Sequence, residues 1–189
     1  MDAFVSRDLD SIFSLREQAA VEEWFKSNKV LHIMRDHPSH NEVILGGLWG
    51  TKLPNDKIRS NWKESWIAAL KDKLLWARKD SYGHDQHFLL KYINQEFLHK
   101  TSYISQFISL DKKIRNLFFR YVWPWIKNNS IAHDAYYCEK FPNTKPFPIQ
   151  RLRSQSDNFV GAIPSDGTTL KTQCPLACRP LEHQDWIFC

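Results

Sequence analysis

The chain has 189 residues, a length that suits one domain, and its 42% hydrophobic content is enough for a core, which argues against global disorder. The net charge of +5 is modest, and basic residues are scattered among acids, so composition points away from a nucleic-acid partner. No basic stretch followed by a long apolar run opens the chain, so neither a signal peptide nor a membrane span is expected in it.

Phe4-Val5 reads as the end of a short strand, and residues 6–11, S-R-D-L-D-S, carry it into a turn. If that backbone stays extended, Asp8 and Asp10 point to one side, because strand side chains alternate with period two. Two hard oxygen ligands on one face suit Mg²⁺ or Mn²⁺. By spacing alone the pair equally fits a solvated turn or a helix cap.

Ser14 with Glu17 predicts a capping box. Leu15, Ala19, Val21, Trp24 and Phe25 follow as the apolar stripe of a helix ending near Asn28-Lys29. Residues 30–34 read as a strand containing His32, and Pro38 disfavours helix at His37, so a turn follows. The three glycines of 44–50 suit a strand end with a tight turn, or a place where a ligand approaches the main chain.

Residues 58–79 predict a helix, with Trp62, Trp66, Ala69, Leu70 and Lys73 three or four apart, and core packing explains these tryptophans best. Asp85 and Gln86 fall in the first turn of a further helix, where an acid is favoured by the dipole. Residues 93–120 shift to Ile, Asn, Phe, Ser and Lys and read as an insertion or an added surface element. Arg151 and Arg153 can meet a phosphate or face solvent.

Cys138, Cys174, Cys178 and Cys189 are even in number, and three lie in a Pro-punctuated, non-periodic tail, which favours two disulfides. A zinc knuckle using Cys174, Cys178 and His183 is the alternative. His32, His37 and His40 beside Asp36 also suggest a hydrolytic metal centre, though their spacing offers no helical ligand pair.

Five blocks in order carry a resemblance: R-D-L-D-S at 7–11, H-I-M-R-D-H-P-S-H at 32–40, I-L-G-G-L-W-G at 44–50, D-Q at 85–86 and H-D-A-Y at 133–136. Together they resemble a family of glycosyltransferase-like proteins of GT-A type. The resemblance implies an α/β fold, a partial GT-A-like nucleotide-diphospho-sugar transferase domain over 1–163 with a cysteine-rich irregular tail over 164–189. It implies transfer of a sugar from a nucleotide-sugar donor, UDP-sugar foremost, to a glycan or glycoprotein, in the lumen of the secretory pathway (Golgi) or outside the cell.

By the same resemblance Asp8 and Asp10 would hold Mn²⁺ or Mg²⁺, with His133 a third ligand. Asp36 and Asp85 would be catalytic, Asp36 accepting sugar hydroxyls under the lock of an Arg35 pair. Arg7, Arg35, His37, Gly46, Gly47 and Gln86 would line the donor. A GT-A domain carries a nucleotide-binding half before its D-x-D strand, and here D-x-D begins at the eighth residue. The expectation is therefore a truncated domain. The rival from another class is a non-catalytic carbohydrate-binding or interaction protein.

Overall fold

A computed structural model describes residues 2–71, 73, 89, 128–141, 143–152, 158–163 and 170–189. The calls on Asp85, Gln86, Arg153 and 93–120 lie outside the described residues.

The chain divides into two compact units, one of Met1–Ala3 with Lys52–Asn128 and one of Phe4–Thr51 with Asn129–Cys189. The first carries α2 (Asp56–Lys71). Asn55 starts this helix: its Oδ1 accepts from the Ile58 N–H at 3.0 Å, the role the short polar side chain plays at an N-cap. Trp62 is buried, as core packing requires, while Trp66, Ile67 and Leu70 are exposed.

The second unit carries most of a mixed sheet, so the α/β class holds. Its described strands are β1 (Asp2–Arg7), β2 (Leu31–Arg35), β3 (Leu48–Leu53), β4 (Ser130–Asp134) and β5 (Thr144–Lys145), in the order β1-β3-β2-β4-β5. β2 runs antiparallel to β3 and parallel to β4, with His32 opposite Ile131 and Arg35 opposite Asp134. Every residue of β2 and β4 is buried, as expected of strands covered on both faces. Gly50 admits the close approach of its neighbours. A Cβ there would lie 2.9 Å from the Phe4 carbonyl oxygen and 3.1 Å from the Trp24 ring.

Helix α1 (Leu15–Lys26) starts where the cap predicts, Ser14 Oγ accepting the Glu17 N–H at 3.1 Å. The Ser14 backbone N–H acts on the Glu17 carboxyl as the other half of the capping box, and Arg7 shares that carboxylate, its Nε donating at 2.6 Å. The buried face is also not the expected stripe. It consists of Arg16, Glu17, Ala20 and Trp24, whereas Leu15 and Phe25 are exposed. The helix is turned so that Arg16 and Glu17 reach their counter-ions, Asp36 and Arg7.

The two expected disulfides form, Cys138–Cys178 and Cys174–Cys189. They draw the irregular C-terminal residues into a core with Met34, Leu48, Ala135, Phe147 and Val160. The zinc alternative is displaced: Cys174 pairs with Cys189, and the His183 ring stacks on Trp186 at 4.2 Å. Such cross-links persist in oxidising compartments. Among the described residues no helix is long and apolar enough to cross a membrane.

Candidate functional site

β1 ends at Arg7, and residues 8–11 turn. Ser11 closes the turn twice onto the Asp8 carbonyl, through its N–H at 3.2 Å and its Oγ at 2.8 Å, and the Ile12 N–H reaches the Ala162 carbonyl at 2.7 Å. Asp8 and Asp10 are both exposed, on a tight turn rather than the extended backbone that would align them. The Asp8 carboxylate lies on Gly47: a Cβ there would stand 2.3 to 2.4 Å from its carbon and both oxygens. Ser6 Oγ donates to the Gly46 carbonyl at 2.8 Å. Gly46 and Gly47 form the turn that leads into β3, rather than a strand end, and only a residue without a side chain leaves room for Asp8 at 47.

Asp36, just past β2, is wholly buried. Arg16 forks onto both its oxygens at 2.7 and 2.8 Å, Arg151 donates at 2.9 Å, and the Val160 N–H adds a fourth bond at 2.9 Å. Its main chain is engaged too: the N–H donates to His40 Nδ1 and the carbonyl accepts from Arg151. Burial pushes the Asp36 carboxyl up, but Arg16, and after it Arg151 and the Val160 N–H, hold it below the usual carboxylate range. The left-handed backbone of Gly161 (φ 86°) accompanies the turn that presents Val160.

The expected lock between Arg35 and Asp36 does not exist. Arg35 pairs instead with Asp134 at 2.6 Å, the side chain brought opposite it by the parallel register. Asp134 in turn accepts the N–H groups of Tyr136 and Tyr137 at 2.8 and 2.7 Å. Asp36 and Arg35 are thus structural ions with no oxygen or nitrogen turned toward a sugar. Arg151 is neither solvent-facing nor open to a phosphate: it bonds Asp36 and the Tyr136 hydroxyl.

His133 is not placed to join Asp8 and Asp10. It sits on β4, three strand spacings from β1, about 14 Å. Both ring nitrogens are engaged, Nδ1 with His32 Nε2 at 2.9 Å and Nε2 with Glu23 at 3.1 Å. Burial, and after it the Arg16 charge, push its pKa down to about 3. A neutral ring satisfies both bonds, since Glu23 can only accept and His133 Nδ1 then accepts from His32. The hydrolytic centre of His32, His37, His40 and Asp36 fails for the same reason: His32 and Asp36 are in the core. Among the described residues the potential ligand side chains that converge are Asp134, Cys138 and Cys178, and the disulfide takes both thiols.

His37 and His40 form the rim. Their ring centroids are 5.4 Å apart, and Phe159 lies 4.8 Å from His37. Arg7, expected at the donor, is held by Glu17 and the Ser11 carbonyl. Arg16 and Glu23 were not singled out as chemistry by sequence. The one signal for them was the Ser14 cap, which sets the phase of α1 and puts Arg16, Ala20 and Trp24 on one line.

Four of the motif blocks nevertheless meet one edge of the sheet. Asp8 follows β1, Asp36 to His40 follow β2, Asp134 to Tyr136 close β4, and Gly46-Gly47 enter the antiparallel β3 beside Asp8. No family model, no curated protein and no solved structure matches the chain.

Proposed function

We propose that this edge is the donor side of a metal-dependent sugar transferase related to GT-A enzymes, whose substrate is a nucleotide-diphospho-sugar. What supports the reading is the gathering of the D-x-D turn, the Gly-Gly turn and the 36–40 turn at the carboxyl ends of β2 and β4, where open α/β sheets take ligands. Asp8 and Asp10 fit a hard divalent cation, being exposed carboxylates with all-oxygen donors. His133 does not fit as a third ligand. A cation held by Asp8 and Asp10 would supply neutralisation of the leaving diphosphate.

The chain's own residues do the positioning. Gly47 leaves the space in which the Asp8 carboxylate rests, and Ser11 holds the turn that carries both acids. Asp36, clamped by two guanidinium groups, fixes where the 36–40 turn leaves the sheet.

Calorimetry of UDP with and without Mn²⁺ tests the reading. Binding that needs Mn²⁺ and disappears in both Asp8→Asn and Asp10→Asn is expected. Nucleotide binding indifferent to the metal and to both substitutions overturns it.

A second reading has its own observation. Arg35, Asp36 and His133, three of the groups expected to do chemistry, are core residues. That favours a carbohydrate-binding protein without catalysis, and heat from a sugar ligand with no nucleotide or metal present would select it.

A further inference from the structure

We propose that His37 and His40 form a two-donor site for a phosphate-type oxyanion, each ring offering a neutral Nε2–H to the same ligand. The argument is one of tautomers. His37 Nδ1 accepts the Ser39 N–H at 3.1 Å, and His40 Nδ1 accepts the Asp36 N–H at 3.3 Å. A nitrogen that accepts from a backbone N–H carries no proton, so in each neutral ring the proton is on Nε2. Among the described residues neither Nε2 has a protein partner, and both side chains are half-buried. The ring centroids are 5.4 Å apart and the ring planes are tilted by 52°.

The same bonds argue against a metal. Ligation through Nε2 would move the proton to Nδ1 and set it against a backbone N–H in both rings. Arg16 and Arg151 both pair with the carboxylate of Asp36 beneath the turn. Burial, then Arg151, lowers the His37 pKa, and burial, then His37, takes His40 to about 4, so both rings are neutral donors at pH 7.

The turn is built to hold this geometry. The Asp36 main chain and side chain are both tied down, and the Tyr137 hydroxyl donates to the Pro38 carbonyl. The site goes beyond the transferase reading, because it needs neither a metal nor a sugar.

The test uses the full chain, with inorganic pyrophosphate as the probe and chelator present to exclude metals. Asparagine reproduces the Nδ1 acceptor of histidine through its Oδ1, and its shorter amide N–H2 does not reach the Nε2 position, so the double variant His37→Asn, His40→Asn keeps the backbone bonds. Pyrophosphate binding is expected to be about tenfold weaker in it, from the loss of two hydrogen bonds. Asp8→Asn is expected to bind the probe like the unmodified chain, which separates this site from the metal turn. Long-range ¹H–¹⁵N spectra of the unmodified chain at pH 7.5 read the tautomers directly, whatever becomes of the variants. Two Nε2–H rings whose signals move with pyrophosphate support the site. A protonated Nδ1 in either ring, or equal binding by the double variant, overturns it.

Discussion

Arg16 and Asp36 form a buried two-pronged ion pair, guanidinium nitrogens at 2.7 and 2.8 Å from the two carboxylate oxygens, joining the first helix to the end of β2. Arg151 completes it from the other side. Removing the shared acid strands two guanidinium groups in the interior, and breaking one partner out of such a site costs about 3–5 kcal/mol. Asp36→Asn is therefore expected to lower the urea midpoint sharply or to abolish the folded baseline. A variant as stable as the parent would return Asp36 to the ligand side.

Gly47→Ala separates stability from the D-x-D turn. The added methyl meets the end of a flexible, exposed side chain, not backbone, so Asp8 moves and the fold stays. The expected melting curve changes by no more than about 0.5 kcal/mol. Mn²⁺ affinity falls by about 10–100-fold, as when a neighbour that sets a ligand's position is altered. Calorimetry and a thermal melt on one preparation check both halves.

Acid should destabilise the protein well above the carboxylate range. His133 has a folded pKa of about 3 against an ordinary 6.5, so between those values the unfolded chain binds the extra proton. Its contribution is intact above pH 6.5 and declines as pH falls, by ~1.4 kcal/mol per unit, or ~2 kcal/mol at pH 5. His40 acts in the same direction down to about 4. Urea midpoints from pH 7.5 to 5 should fall, and His133→Gln should flatten part of the slope.

The disulfide between Cys174 and Cys189 closes a sequence separation of 15. On the loop-entropy account its removal costs about 3 kcal/mol. The paired variant Cys174→Ala, Cys189→Ala, which leaves no lone thiol, is expected to show that loss in urea unfolding under non-reducing conditions.

Local chemistry was legible in the sequence. The Ser14 cap, the strand around His32 and the end of the first strand before Asp8 follow from side-chain type and spacing within a few residues, and the even cysteine count gave two disulfides but not their pairing. What was not legible depends on partners far along the chain. Arg35 meets Asp134 rather than its neighbour Asp36 because parallel pairing brings position 134 opposite 35. His133 looked like a ligand because imidazole suits metals, but its role is decided by His32 and Glu23, both more than a hundred residues earlier. Charge was the most misleading cue. Arg16 and Glu17 are buried because each has a counter-ion, Asp36 and Arg7, a pairing that helical periodicity does not encode.

The bond from Arg16 to the carbonyl of Cys189 spans 173 positions, and that between Arg35 and Asp134 spans 99. Contacts of such range demand loop closure before they reward it, and they slow folding. While the ribosome is still at work, Arg16 has Asp36 but not the Cys189 carbonyl, and β2 lacks its parallel neighbour. The front of the molecule must wait for its far end, open to chaperones and to stray pairing in the meantime.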